Sequence, residues 1–229
     1  KLLKDNNIGI FLISRYNSKR LKNKASLKVK KFNLVEILII RILTLINSEN
    51  VVICSSKTNN KLTFYKKISK KFKTKLFFGS EKNVLGRMID CADKFKFKHL
   101  VRITGDNPLT NVQSILPMCK SHIVNNCDYT FTESLPRGTR VEVFSLKALK
   151  RHYKKIIDLN STEYLTFFFK RSDIYKINKV NFKKILKDQQ MLSISIDTKR
   201  DFDDYKKFYL SSDIKRLDNN KLFLFLKKQ

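Results

Sequence analysis

Apolar runs of strand length alternate along this chain with longer stretches of helical period. Ile8–Ser14 reads as a buried strand, because IGIFLI (Ile8–Ile13) is continuously apolar, as a strand buried on both faces should be. Leu34–Ile46 carries Leu34, Ile37, Leu38, Arg41, Ile42 and Leu45 at helical spacing. Val51–Ser55 is a short β-branched strand, Leu62–Phe72 a helix with lysines on its outer face, and Lys75–Phe78 a strand ending at Gly79. Val84–Phe95 reads as a helix, His99–Thr104 as a strand, and Val112–Val124 as a helix entered after Pro108. Strands alternating with helices of this length mean βαβ crossovers and a mostly parallel central sheet covered by helices on both faces.

The second half is less regular. Asp128–Thr132 and Thr139–Phe144 look like strands around a turn containing Pro136 and Gly138, followed by helical stretches at Ser145–Ile157 and Thr162–Lys170. Ile174–Phe182 and Leu192–Ile196 alternate like strands, Lys199–Tyr209 forms a closing helix, and Ser211–Lys228 an amphipathic tail helix. No Pro/Gly/Ser linker divides the chain. The prediction is a single domain over residues 1–229, with an inserted β-rich arm at about 130–190 and a C-terminal helix at about 211–228.

Composition sharpens this picture only in part. A chain of 229 residues with 42% hydrophobic content and 18 Phe can build a real core. No apolar run is long enough to span a bilayer. Lys1–Asn7 is polar and the run after it is too short for a secretory leader, so the expected compartment is the cytosol, with no membrane partner. The net charge of +29 would ordinarily suggest nucleic acid. Here the excess is mostly Lys, spread over the whole chain, beside abundant Asn, Ile and Phe and scarce Ala and Gly. A genome biased toward A and T gives that profile to any protein, and no specific nucleic-acid partner is expected. Cys54, Cys91, Cys119 and Cys127 lack CxxC spacing and read as buried free thiols. His99, His122 and His152 show no metal-ligand spacing and read as surface or boundary residues.

In open α/β sheets ligands bind beyond the carboxyl ends of the strands. Three candidate stretches fall there: Arg15–Lys24, Cys54–Lys57 and Gly105–Pro108. In VRITGDNPL (Val101–Leu109) a β-branched strand runs into Gly105 and presents Asp106 at its tip. A carboxylate so placed suits Mg²⁺, which takes one or two carboxylates plus substrate phosphates; Asp-Asn-Pro is also good turn chemistry by itself. SISIDTKRDF (Ser193–Phe202) follows the same logic, with Asp197 at the strand end and Thr198 and Asp201 as a helix cap. SRYNSKRLKNK (Ser14–Lys24) holds five basic residues in eleven, against 49 in 229 for the chain. That enrichment is modest, yet Arg15, Ser18, Arg20 and Lys24 are the cations and hydroxyl that a triphosphate loop needs.

Taken together, these motifs resemble the cytidylyltransferases that make CMP-activated acidic sugars, in the branch of spore-coat polysaccharide biosynthesis related to CMP-KDO synthetase. SRYNSKRLKNK keeps Arg15, Ser18, Arg20, Leu21 and Lys24 of that family's ARxxSxRLPGK. NLVE (Asn33–Glu36), CSS (Cys54–Ser56), FFGSEKNVLGR (Phe77–Arg87), VRITGDNPL, GTRVEVFSLKAL (Gly138–Leu149), EYLT (Glu163–Thr166) and DTKRDF (Asp197–Phe202) follow in order. The resemblance implies a Rossmann-like nucleotidyltransferase fold that uses CTP, Mg²⁺ and an acidic sugar or sugar phosphate, as a homodimer. It places Arg15, Ser18, Arg20 and Lys24 on the triphosphate, with Arg15, Lys24 and Asp106 as the catalytic set. Ser55 and Ser56 fall near the base or ribose, Arg87 and Arg102 at the nucleotide or sugar, Asp106 and Asp197 on Mg²⁺, and Glu142 and Glu163 on the sugar side. The chain departs from the pattern at Lys22-Asn23, where Pro-Gly is usual, at Arg140, where Asp is usual, and at Tyr164, where His is usual. A degenerate sugar-nucleotide binder of the same fold is the alternative reading, and a basic nucleic-acid-binding protein a further one.

Overall fold

The computed structural model describes residues 1–16, 20–57, 62–105, 107–156, 165–170, 173–182 and 194–210. The expectations for Ser18, Asp106, Glu163, Tyr164 and the helix at 211–228 lie outside the described residues.

Strands β1 (Ile8–Ser14), β4 (Val51–Ser56), β5 (Lys75–Gly79) and β6 (His99–Thr104) form the parallel part of the sheet. Strand β1 pairs with β4 on one side and β6 on the other, with Ile10 opposite Val51 and Val101. Next come β8 (Glu142–Ser145), antiparallel to β6, then β7 (Tyr129–Phe131) and β9 (Ile177–Lys179). Among the described residues the sheet has seven strands in the order β5-β4-β1-β6-β8-β7-β9. Where it is described, the expected arm therefore contributes strands that continue the central sheet. A hairpin of β2 (Lys28–Val29) and β3 (Phe32–Asn33) lies outside that sheet.

The continuous apolar runs are explained by burial on two faces. Ile8, Ile10 and Leu12 of β1 pack with helices α2 (Leu34–Ile42), α3 (Leu62–Phe72) and α5 (Ile115–Val124). Phe11, with Val52 and Cys54, packs on the other face against α4 (Val84–Lys94), α6 (Leu146–Tyr153) and α7 (Leu165–Lys170). A third cluster joins Leu21, Val29, Leu34 and Leu109 to Ile194, Ile196 and helix α8 (Lys199–Leu210). A short helix, α1 (Leu2–Asp5), precedes β1.

Local chemistry sets the helix starts. Asn33 caps α2: its side chain accepts from the Glu36 N–H while the Glu36 carboxylate accepts from the Asn33 N–H, both at 2.9 Å. The NLVE stretch is thus a full capping box. Helix α2 stops at Ile42, earlier than its apolar pattern. Thr198 and Asp201 form the expected reciprocal cap on α8, with Asp201 Oδ2 accepting from Thr198 N at 2.7 Å and Thr198 Oγ1 from Asp201 N at 3.2 Å.

Three expectations are corrected. Of Leu192–Ile196, the described part, from Ile194, is not a strand; it makes a backbone bond to Arg137 O (2.8 Å), and its alternation reflects Ile194 and Ile196 facing the third cluster. In Ile174–Phe182 only Ile177–Lys179 pairs as a strand. The histidines are not all at the surface: His122 is fully buried and His152 nearly so. Each finds a neutral partner, His122 with Thr130 Oγ1 (2.9 Å) and His152 with Tyr175 OH (3.1 Å), which is what lets an imidazole enter a core. All four cysteines are buried free thiols, and burial pushes the Cys119 thiol up to about 12.

Candidate functional site

The carboxyl ends of β1 and β6, and the N-terminus of α4 beyond β5, open onto one cleft of about 190 Å³. Its walls carry Arg15, Arg20, Lys24, Arg87, Arg102 and Asp197 from the residues expected, together with Ser14, Thr104 and Glu81. Five cations face two carboxylates, the balance a polyphosphate requires.

The loop after β1 reaches this cleft through a tight turn. Asn23 adopts φ +57°, the left-handed conformation that Gly commonly supplies and that Asn tolerates better than other residues. The Lys22-Asn23 departure therefore preserves the turn. Lys24 then opens a 3₁₀ turn and is buried, with its ammonium directed at Asp197 (3.7 Å to Oδ1). Arg20 lies 3.0 Å from Asp197 Oδ2 and is largely exposed. Ser195 Oγ donates to the same Asp197 oxygen at 2.8 Å. The carboxylate is one quarter exposed and held in place, though not by a strand.

Arg87, one turn into α4, is buried and donates to Ser80 O (2.6 Å); its Nε finds no partner among the described residues. Arg102 is held by Glu142 across the β6–β8 ladder at 2.6 Å, and Tyr129 OH donates to the other Glu142 oxygen at 2.6 Å. Ser55 and Ser56 lie buried at the end of β4 and are not among the cleft's lining residues; Ser55 Oγ finds no partner among the described residues.

The residues flanking Asp106 are described. Gly105 donates to Ile13 O at 2.8 Å, and a Cβ on it would come within 2.9 Å of Ser14 Cβ, so the glycine serves strand-to-strand approach. Asn107 donates through its side chain to Gly138 O, and Arg41 from α2 grips Pro108 O and Thr110 O (2.9 Å to the latter). Burial lowers the Arg41 pKa to about 10. Asn107, Pro108 and Thr110 are thereby held to α2 and to the Gly138 turn.

A second chamber of about 150 Å³ adjoins the cleft and shares Arg102 and Thr104 with it. Tyr129, Phe131, Gly138, Arg140, Glu142 and Lys170 are among its other walls. Arg140 donates to Leu135 O (2.6 Å) and Glu133 O (3.1 Å), bonds to backbone rather than carboxylate. Lys170 lies 4.1 Å above the Phe131 ring and pairs with Glu133, whose carboxyl is lowered to about 2 by Lys170 and Lys179. Sequence reasoning assigned no role to Glu81, Thr104, Tyr129, Lys170 or Arg41. Glu81 and Thr104 fall inside motifs already singled out, whereas Tyr129 reaches the site through the order of strands and Lys170 from the end of helix α7.

A hard divalent cation suits the carboxylate chemistry of Asp197, where it would take the place of the Arg20 and Lys24 contacts. Asp197 offers carboxylate oxygens in a cleft suited to phosphates, and such a cation completes its shell with water and substrate oxygens. Among the described residues no group of three His, Cys, Asp or Glu side chains could hold a metal by itself.

Comparison with known proteins shows where this sequence and fold recur. The sequence profile of the cytidylyltransferase family matches residues 10–227. The chain is 25% identical over 219 residues to the spore coat polysaccharide biosynthesis protein SpsF of Bacillus subtilis, covering 89% of this chain and 87% of that one. A cytidylyltransferase structure from Leptospira borgpetersenii superposes with a TM-score of 0.87 at 21% identity, over 97% of this chain and 94% of that one. CMP:2-keto-3-deoxy-manno-octonic acid synthetase, solved with CTP, superposes with a TM-score of 0.67 at 11% identity, over 89% and 98%.

Proposed function

The chain belongs to the cytidylyltransferase family, and on that premise we propose that it transfers CMP from CTP to an acidic sugar, a nonulosonate, octulosonate or sugar phosphate, releasing pyrophosphate. The product feeds a surface polysaccharide or glycan, as the name of the Bacillus relative suggests. The observation that carries the reading is a pair of cavities that share Arg102 and Thr104: a cation-rich cleft at the carboxyl ends of β1 and β6, and a second chamber beside it. The first has the charge for a triphosphate, and the second has room and polarity for the acceptor. The synthetase solved with CTP, which shares this fold, supports the choice of nucleotide.

In this reading Arg15, Ser18, Arg20 and Lys24 hold the triphosphate. Arg87 and Arg102 line the nucleotide, and Ser55 and Ser56 lie behind the base or ribose. Glu142 and Glu163 belong to the acceptor side. Asp106 and Asp197 would hold Mg²⁺, which supplies charge neutralisation at the phosphates. An acceptor oxygen attacks the α-phosphorus in line as the bond to the bridging oxygen of the β-phosphate breaks. The electron pair leaves with pyrophosphate, and the acceptor's hydroxyl proton passes to solvent. Such a reaction asks the protein chiefly for positioning and for cations where negative charge gathers.

Calorimetric titration of the intact protein with CTP, UTP, GTP and ATP in the presence of Mg²⁺ tests the nucleotide assignment. CTP is expected to bind at least about tenfold tighter than the others, and Lys24→Met to weaken it by a comparable factor. Equal affinity for all four would count against a cytidylyl donor.

A further inference from the structure

Arg102 stands in the wall common to the nucleotide cleft and the second chamber. A group passing from a nucleotide in one to an acceptor in the other must cross that wall. Its guanidinium is not free to swing. Nη1 donates to Glu142 Oε2 at 2.6 Å, and Glu142 is in turn fixed by the hydroxyl of Tyr129 at 2.6 Å. Tyr129 is fully buried, its ring stacked on Phe131 at 5.3 Å and on Phe144 at 4.7 Å. The chain of contacts therefore runs from a rigid aromatic stack, through a carboxylate engaged at both oxygens, to the guanidinium. The Arg102 side chain stays about one fifth exposed, at 21%, in the walls of both cavities, which leaves N–H groups of the fork not used by Glu142 for a ligand.

Resting on the cytidylyl-transfer reading above, we infer that Arg102 contacts the α-phosphoryl group under transfer, and that Glu142 and Tyr129 are positioning residues that act through it. Glu142 would then serve the guanidinium rather than bind the sugar directly. A cross-strand ion pair of purely structural use would also join β6 to β8, but it would not need to stand in the wall of two cavities. A planar guanidinium suits the place, because it can hold a carboxylate with one edge and offer another to a phosphoryl oxygen.

The affinity contributed by the α-phosphate can be read without turnover, by titrating the intact protein with CMP and with cytidine. Arg102→Ala is expected to reduce the ratio of CMP to cytidine affinity about tenfold or more. Glu142→Gln should reduce it in the same direction, and adding it to Arg102→Ala should change nothing further. Tyr129→Phe, which keeps the ring stack, should give a smaller loss of the same kind. Arg102→Lys retains the charge and replaces the alanine variant if that one fails to fold. An unchanged ratio in the Arg102 variants overturns the inference, as does an independent loss from Glu142→Gln on the Arg102→Ala background, which would make Glu142 a direct ligand. Wild type that releases pyrophosphate from CTP but shows a ratio insensitive to Arg102 defeats this inference alone. Wild type that binds neither CTP nor CMP defeats the reading beneath it and this inference as well.

Discussion

Arg20 Nη1 lies 3.0 Å from Asp197 Oδ2, joining the loop after β1 to the segment that enters α8. These residues are far apart in sequence, and the contact brings a guanidinium and a carboxylate to one wall of the cleft. Lys24 closes on the other oxygen of the same carboxylate at 3.7 Å.

Asp197→Asn separates function from stability. The Arg20 partner is mostly exposed and contributes less than about 1 kcal/mol, but buried Lys24 loses this counter-charge, so unfolding free energy should fall by about 1–3 kcal/mol in urea titrations. Turnover at fixed Mg²⁺ should fall about a hundredfold, a barrier change of about 2.7 kcal/mol. A stability loss beyond that range would mean that the carboxylate is structural.

Gly138→Ala tests the turn that lines the second chamber and packs on the segment leading to Asp197. Gly138 sits at φ +86°, and a Cβ there would come within 2.7 Å of Ile194 O, three residues before Asp197. The expected cost is about 2 kcal/mol or more in denaturant unfolding, with activity falling further because the Asp197 segment is displaced. Full activity in the folded fraction would show that the loop does not position Asp197.

Acid should unfold the protein through His122. Burial, aided by the neighbouring His99, lowers its pKa from 6.5 to about 3, while Asp128 opposes the shift. Burial and Lys98 lower His99 as well. His122 is therefore neutral in the native state, and the unfolded chain takes up the proton as pH falls below 6.5. Its contribution to stability is complete above pH 6.5 and lost between there and about 3, at about 1.4 kcal/mol per pH unit. Urea midpoints measured from pH 7 to 4 should fall accordingly, and His122→Asn should flatten that slope.

Arg140→Asp restores the acidic residue usual at that position in the resembling family. Arg140 lines the second chamber and not the nucleotide cleft. CTP affinity should stay within about threefold, while the KM for the acceptor should shift by about tenfold or more. The reverse pattern would place the acceptor elsewhere.

Much of this was legible in the sequence. Ile8–Ser14, His99–Thr104 and Lys199–Leu210 declare themselves because a strand buried on two faces is rich in apolar and β-branched residues and an amphipathic helix repeats every 3.6 residues. The cleft residues of the first loop were legible because they stand just beyond a strand's carboxyl end. The hairpin at Lys28–Asn33 was not, since two-residue strands carry no period. Ile194 and Ile196 alternate because one side faces a buried cluster, a pattern that an extended segment outside a sheet shares with a strand. His122 was misjudged because its partners are remote or on another element: Thr130 on β7 and His99 on β6. The second chamber depends on β8 inserting between β6 and β7, an order that no local pattern records.

The most direct measurement is pyrophosphate release by the intact protein from CTP with Mg²⁺ and a panel of acidic sugars, with the CMP-sugar product identified by mass spectrometry. Release that requires both CTP and one acidic sugar, and that drops at least about a hundredfold in Asp106→Asn, is the predicted result. CTP binding without release on any acidic sugar would make the protein a sugar-nucleotide binder, and release at near wild-type rate in Asp106→Asn would contradict the metal assignment.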